Sequence, residues 1–80
     1  MTAGNWTQWT EDVLEALRLM KLNIGSKFDL DAAYKAEGIL QRIHPNNNNI
    51  KAKIRQQLQI LKENGYVSFI DNLGNYEMLK

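Results

Sequence analysis

The residues with the most chemistry to offer fall in one stretch, RIHPNNNNIKAKIRQQLQIL, residues 42 to 61. Asn and Gln side chains can pair bidentately with adenine N6 and N7, and Arg or Lys with guanine O6 and N7. Lys ammonium groups, and the N–H groups at a helix N-terminus, suit phosphate oxygens. From Gly38 to Lys62 there is no acidic residue, yet Arg42, Lys51, Lys53, Arg55 and Lys62 all lie there. Six of the nine acids (Glu11, Asp12, Glu15, Asp29, Asp31, Glu37) fall in the first 37 residues. A basic run along one helix is the footprint of a nucleic-acid surface, although a merely solvated helix face carries the same residue types.

Other chemistries have little to draw on. There is no cysteine and a single histidine, His44, with no sequence partners for a metal or a general base. The pairs Asp29/Asp31 and Glu11/Asp12 read as helix caps rather than catalytic carboxylates. An enzyme is therefore the least supported class; neither a cofactor nor a metal is implied, nor a small-molecule substrate. A chain of 80 residues with net charge +1 is one small domain, near the lower limit for a single core. Without disulfides an intracellular protein is expected. The start MTAGNWTQWTED lacks the basic-then-apolar pattern of a signal peptide, and no apolar run approaches the roughly 20 residues of a membrane span.

The elements that would position the basic stretch follow from periodicity. Thr10 is a good N-cap, and Val13, Leu14, Leu17 and Met20, with Leu22, predict a first helix over about residues 11–22, stopped by NIGSK. In FDLDAAYKAEGILQRI, Asp29 is the expected cap of a second helix, with Leu30, Ala33, Tyr34, Ile39 or Leu40, and Ile43 facing inward. The short segment at Phe28 could pair with a later strand. Pro45 and the four asparagines break the helix. Ile50, Ile54, Leu58 and Leu61 then form one stripe on a third helix that Gly65 ends, while Ile60 falls on no clean face. YVSFI and the run from Tyr76 to Met78, joined by a turn at Asp71, Asn72, Gly74 and Asn75, predict a hairpin. There are no repeats or linkers. The order is that of an α+β winged helix: a three-helix helix-turn-helix core with a C-terminal β-hairpin wing, over residues 9–80 behind an N-terminal extension, residues 1–8.

Each helical residue advances about 100°. With Ile54 inward, the opposite face of the third helix collects Asn48, Asn49, Ala52, Lys53, Arg55, Gln56 and Gln59, flanked by Lys51 and Lys62. The first turns of a recognition helix lie deepest in the major groove, so Asn47 to Gln56 would be closest to the bases. Asn47, Asn48, Ala52, Lys53, Arg55 and Gln56 are the expected base-reading set. Thr10, Asn49, Lys51, Gln59, Lys62 and the wing's Asn75 are better placed for phosphate.

The segment FDLDAAYKAEGILQRIHPNNNNIKAKIRQQLQILKENGYVSF is similar to the C-terminal winged-helix domain of the DpnI-type methyl-directed restriction endonucleases. Phe28, Leu30, Tyr34, Glu37, Leu40, Asn47, Asn48, Ile50 and Lys51 carry the match, and it runs unbroken through KIRQQLQIL, Lys53 to Leu61. Trp9 and Thr10, and the wing's Gly74 and Tyr76, fit as well, so the likeness covers about residues 9 to 78. The resemblance implies a prokaryotic, cytoplasmic DNA-binding module that recognises GATC carrying N6-methyladenine on both strands, joined in those enzymes to a separate nuclease domain. No PD-(D/E)xK or HNH pattern is present here, so the expectation is an excised domain or a stand-alone reader, monomeric by itself. Its start suits an expressed fragment.

A methyl reader must gain from burying the methyl group. One CH₂-sized group is worth roughly 0.8 kcal/mol and two about 1.6. That is only about 15-fold discrimination at about 1.4 kcal/mol per decade, so stronger selection needs a shaped apolar pocket, or loss of a bound water in the unmethylated complex. GATC places its two methyls on adjacent base pairs, within reach of one surface. Pocket candidates are Ala52, the stems of Lys53 and Gln56, and an aromatic from outside the third helix, Trp9 first and Trp6 second. The alternative for Trp9 is a hydrophobic staple on the core. Two other readings stay open: a winged-helix DNA binder of a transcription regulator without methyl dependence, and a winged helix whose third helix docks a protein. The second predicts exposed apolar residues on that helix, where this one shows Asn, Gln, Lys and Arg.

Overall fold

Helix α1 (Gln8–Leu19) begins three residues ahead of the expected start at residue 11. The computed structural model describes residues 5–71 and 73–80. The N-cap is Thr7, in extended backbone, and not Thr10. Thr10 sits one turn in, where its hydroxyl accepts the Thr7 backbone N–H at 3.0 Å and donates to Gln57 Oε1 at 2.6 Å. The buried partner on a distant helix draws Thr10 inside, and Thr7, which sequence reasoning did not single out, takes the cap. At the other end Leu22 N–H donates to the Leu17 carbonyl and Lys21 N–H to that of Arg18, with Lys21 at φ 68°. This is a Schellman ending built on a lysine.

Strand β1 (Lys27–Asp29) leads directly into α2 (Leu30–Tyr34), whose first turn is capped as expected by the Asp29 carboxylate, 2.8 Å from the Ala32 N–H. The expected single second helix is two pieces, α2 and α3 (Glu37–Ile43). Across the junction Lys35 N–H bonds to the Ala32 carbonyl and Ala36 N–H to that of Ala33, an i to i+3 pattern. Tightening to three residues per turn aligns side chains three apart, and it brings Ala33 and Ala36 together into the core. It also turns Ile43 outward, 51% exposed, against the expectation that it faces inward.

Helix α4 (Ile50–Glu63) carries the predicted stripe, with Ile50, Ile54, Leu58 and Leu61 buried, and ends on Gly65 at φ +80°. There the Tyr66 N–H reaches the Leu61 carbonyl and the Gly65 N–H that of Lys62. Strands β2 (Val67–Phe69) and β3 (Asn75–Met78) form the hairpin, and β1 adds to its far edge, giving an antiparallel sheet of order β1-β3-β2. Phe28 stands opposite Tyr76, and Phe69 opposite Tyr76 on the other side. The core is Val13, Leu14, Ala16 and Leu17 from α1, Leu40 from α3 and the α4 stripe, closed by Phe28, Val67, Tyr76 and Met78 from the sheet. Three helix positions and a small β wing are those of a winged helix, as the sequence predicts. No helix among the described residues is long and apolar enough to cross a membrane.

Candidate nucleic-acid interface

Helix α4 is the only element of the described residues that combines several cations with a face free of acids over most of its length. Its stripe packs on α1 and on α2, α3 and β2, which leaves Lys51, Ala52, Arg55, Gln56, Gln59 and Lys62 exposed. The face has two edges. On the wing side Lys51 Nζ lies 5.5 Å from the centre of the Tyr34 ring and Lys62 Nζ 4.9 Å from that of Phe69. Arg55 lines a surface cavity of about 410 Å³ with Leu30, Phe69, Asp71, Leu73, Gly74 and Tyr76. On the other edge Lys53, half-buried, places Nζ 5.6 Å from the centre of the Trp9 ring. Gln56 and Gln59 share a cavity there with Trp9, Lys53 and Ile60. At the far end the face closes on an acid, Glu63, which accepts from Gln59 Nε2 at 3.2 Å.

The four asparagines approach α4 in a fixed conformation. Gln41 Nε2 reaches the carbonyls of His44, Pro45 and Asn47 at 3.1–3.4 Å, fastening the loop to α3. Asn47 N–H donates to the His44 carbonyl, and Asn47 Oδ1 accepts the Asn49 N–H at 2.7 Å. That is an Asx turn, so the Asn47 side-chain oxygen helps to shape the loop, which leaves Nδ2 as the group of this side chain to offer a base. Asn48 and Asn49 are exposed. Asn49 is the N-cap of α4, yet its side chain makes no capping bond, and no acid occupies the first turn. The positive end of the helix dipole therefore faces outward beside Lys51 and Lys53, an arrangement that favours an anion.

Trp9 joins this surface. Its indole stacks on the His44 imidazole, centres 3.8 Å apart and planes 14° from parallel. His44 Nε2 is held by Asp12 Oδ2 at 2.8 Å, and Asp12 Oδ1 accepts from Gln8 Nε2 at 3.0 Å. Asp12 is thus a partner for His44 and not the helix cap the sequence predicts. Trp6 goes elsewhere: its ring packs on Tyr66, 5.0 Å between centres, just beyond the C-terminal end of α4. The two indoles therefore pack in different places, Trp9 beside Lys53 and Trp6 beyond the end of α4.

Thr10 leaves the phosphate set. It is 0% exposed, with its hydroxyl spent on Gln57, and cannot meet a ligand. Gln57 is the residue that sequence reasoning passed over: it is 3% exposed and bridges α4 to α1. The signal was present, because Gln57 projects only about 60° from Ile54 at about 100° per residue. His44 and Asp12 were discounted singly, and their 32-residue separation leaves no local pattern to join them. Ile60 is half-buried beside Trp9. In the wing, Asn75 Nδ2 donates to Asp71 Oδ2 at 2.9 Å, and Asp71 Oδ1 accepts the Leu73 N–H at 2.8 Å. These bonds, that from Asn75 foremost, hold the Asp71 carboxyl below the usual carboxylate range. Burial pushes the Tyr76 phenol up, with the Arg55 charge acting against it. Asn72, the fourth residue expected in this turn, lies outside the described residues.

An exposed cationic helix, set in a three-helix core and flanked by a β wing, defines the class as a winged helix-turn-helix domain, a fold whose third helix enters the DNA major groove. The model of one family, the Dam-replacing helix-turn-helix domain, matches residues 5–78. The chain belongs to that family, the same one the resemblance in sequence pointed to.

Proposed function

We propose that this domain binds double-stranded DNA through α4 in the major groove, reads GATC carrying N6-methyladenine, and is the non-catalytic specificity module of a prokaryotic restriction endonuclease. The observation that carries the DNA reading is the outer face of α4, where Lys51, Lys53 and Arg55 accompany Ala52 and Gln56 behind an uncapped helix start and Lys62 adds a fourth cation in the last turn. Ala52, Lys53, Arg55 and Gln56, with Asn47 and Asn48 before them, are the proposed base readers. Asn49, Lys51, Gln59 and Lys62 are the proposed phosphate contacts, with Asn75 reaching the backbone from the wing. Ala52 contributes by being small: it lets the helix approach the bases closely. Support for methyl reading comes from Trp9, an apolar surface standing beside Lys53 at the edge of this face.

The decisive measurement is a titration of the domain with otherwise identical GATC duplexes bearing zero, one and two N6-methyl groups. The expected affinity rises with each methyl. Equal affinity for all three would leave a methylation-independent DNA binder. Binding to no duplex, or binding insensitive to salt, would instead favour a protein partner for α4.

A further inference from the structure

Trp9 does not stand alone. Its indole is the one side chain lining both of the cavities that flank the approach to α4. One, about 420 Å³, is shared with Ile43, His44, Pro45, Asn46 and Asn47. The other, about 700 Å³, is shared with Lys53, Gln56, Gln57, Gln59 and Ile60 among others. A half-buried indole on the first turns of a helix has freedom about its side-chain torsions unless neighbours remove it. Here one ring face is covered by the His44 imidazole at 3.8 Å, and His44 is itself tied back to α1 through Asp12 at 2.8 Å. Asp12 lies three residues after Trp9 on the same helix, so residues three apart on one face clamp the imidazole from its ring face and from its nitrogen. The loop carrying His44 is fixed in turn by Gln41.

From this we infer that His44 and Asp12 are positioning residues for Trp9. His44 donates Nε2–H to the Asp12 carboxylate and stacks on the indole, so that the ring is presented to the α4 side as a rigid apolar wall. The stacked face is closed to a ligand. The Lys53 ammonium lies over the ring as well, 5.6 Å from its centre, so a methyl group, or the edge of a base, meets the indole at its remaining edge, next to the stems of Lys53 and Gln56. A preformed wall gains more from contact than one that must first be ordered, because no side-chain entropy is lost on binding. This inference rests on the proposed methyl reading, and it assigns the shape of the pocket to a pair of polar residues that touch no DNA.

The test compares wild type, Asp12→Asn, Asp12→Ala and His44→Ala in the same duplex titration, reading the ratio of affinities for fully methylated and unmethylated GATC. Asn at position 12 still offers Oδ1 to the His44 N–H, so Asp12→Asn should keep the wild-type ratio. Asp12→Ala and His44→Ala should bring it several-fold closer to one, while affinity for unmethylated duplex changes by less than about twofold. A purely structural role would weaken both duplexes equally and leave the ratio alone; that result overturns the inference. A wild-type ratio of one would instead overturn the methyl reading itself. Should His44→Ala not fold, the Asp12 pair still decides. A second readout needs no DNA: with Trp6→Phe as background, Trp9 is the sole fluorophore of its kind. Its emission should shift to the red and its anisotropy fall in Asp12→Ala but not in Asp12→Asn. Unchanged emission in both also overturns the inference.

Discussion

Arg55 stands at the wing-side edge of α4, and its neighbours narrow what it can do. It is exposed, it shares a cavity with Asp71 and Tyr76, and its charge is felt by the Tyr76 phenol. A guanidinium held at that edge can fork onto guanine O6 and N7 or settle on a phosphate. Under the base-reading role, Arg55→Ala should cost about 1–3 kcal/mol and relax specificity at a guanine. Replacing that guanine by 7-deazaguanine removes N7, so it should weaken the wild type and leave the Arg55→Ala variant indifferent. A loss uniform across sequences would make Arg55 a phosphate contact instead. At this scale the sequence was legible where one helix decides the outcome: the projection of α4 sorted its buried from its exposed residues, except that Gln57 was not placed inside. It was not legible where two helices share a bond. Thr10 reads as a cap or a phosphate ligand until its partner 47 residues away is known, and Asp12 reads as a cap until His44 arrives beside it.

Among the elements, the two long helices end alike but on unlike residues. Both close with a Schellman pair, α4 on Gly65 at φ +80° and α1 on Lys21 at φ 68°. Glycine meets no steric penalty there, whereas a residue with a Cβ is strained by roughly 1–2 kcal/mol. Part of that is offset because glycine loses more backbone entropy on folding, by roughly 0.5–1 kcal/mol. Lys21→Gly should therefore stabilise the domain by about 0.5–1 kcal/mol, raising the melting midpoint by a few degrees in a calorimetric scan, while Gly65→Ala should lower it. A lower midpoint for Lys21→Gly would show that the lysine side chain contributes more than its backbone costs. The ending at Lys21 was invisible in sequence, since the nearest stop signals, Asn23 and Gly25, come later. So was the break between α2 and α3, since no proline or glycine stands at Lys35 or Ala36 to mark it. The β1 pairing was legible, because Phe28 is an isolated aromatic between a glycine turn and a cap.

For the whole molecule, net charge and charge placement point to different properties. A net charge of +1 gives little long-range attraction to a polyanion. The sheet side adds exposed or half-exposed acids at Asp29, Asp71 and Glu77, while the α4 face holds its cations ahead of Glu63. Under the proposed reading this polarity favours one orientation, with the uncapped start of α4 inward to the groove and its acidic end outward. Affinity should then come from a few close phosphate contacts, each releasing counterions, with log K falling against log salt by about 0.9 per phosphate neutralised on duplex DNA. Lys51 and Lys62 have ammonium groups parked over Tyr34 and Phe69, on either side of Arg55 along the helix, and both are proposed phosphate contacts. Lys51→Ala and Lys62→Ala should each reduce the steepness of the salt dependence by about one and weaken methylated and unmethylated duplexes alike. Binding measured from low to moderate salt for both variants separates the alternatives. An unchanged slope removes the lysine from the phosphate set. A changed methyl ratio at constant salt would move it among the base readers, and would mean that α4 lies deeper in the groove at its wing-side edge than at the edge facing Trp9.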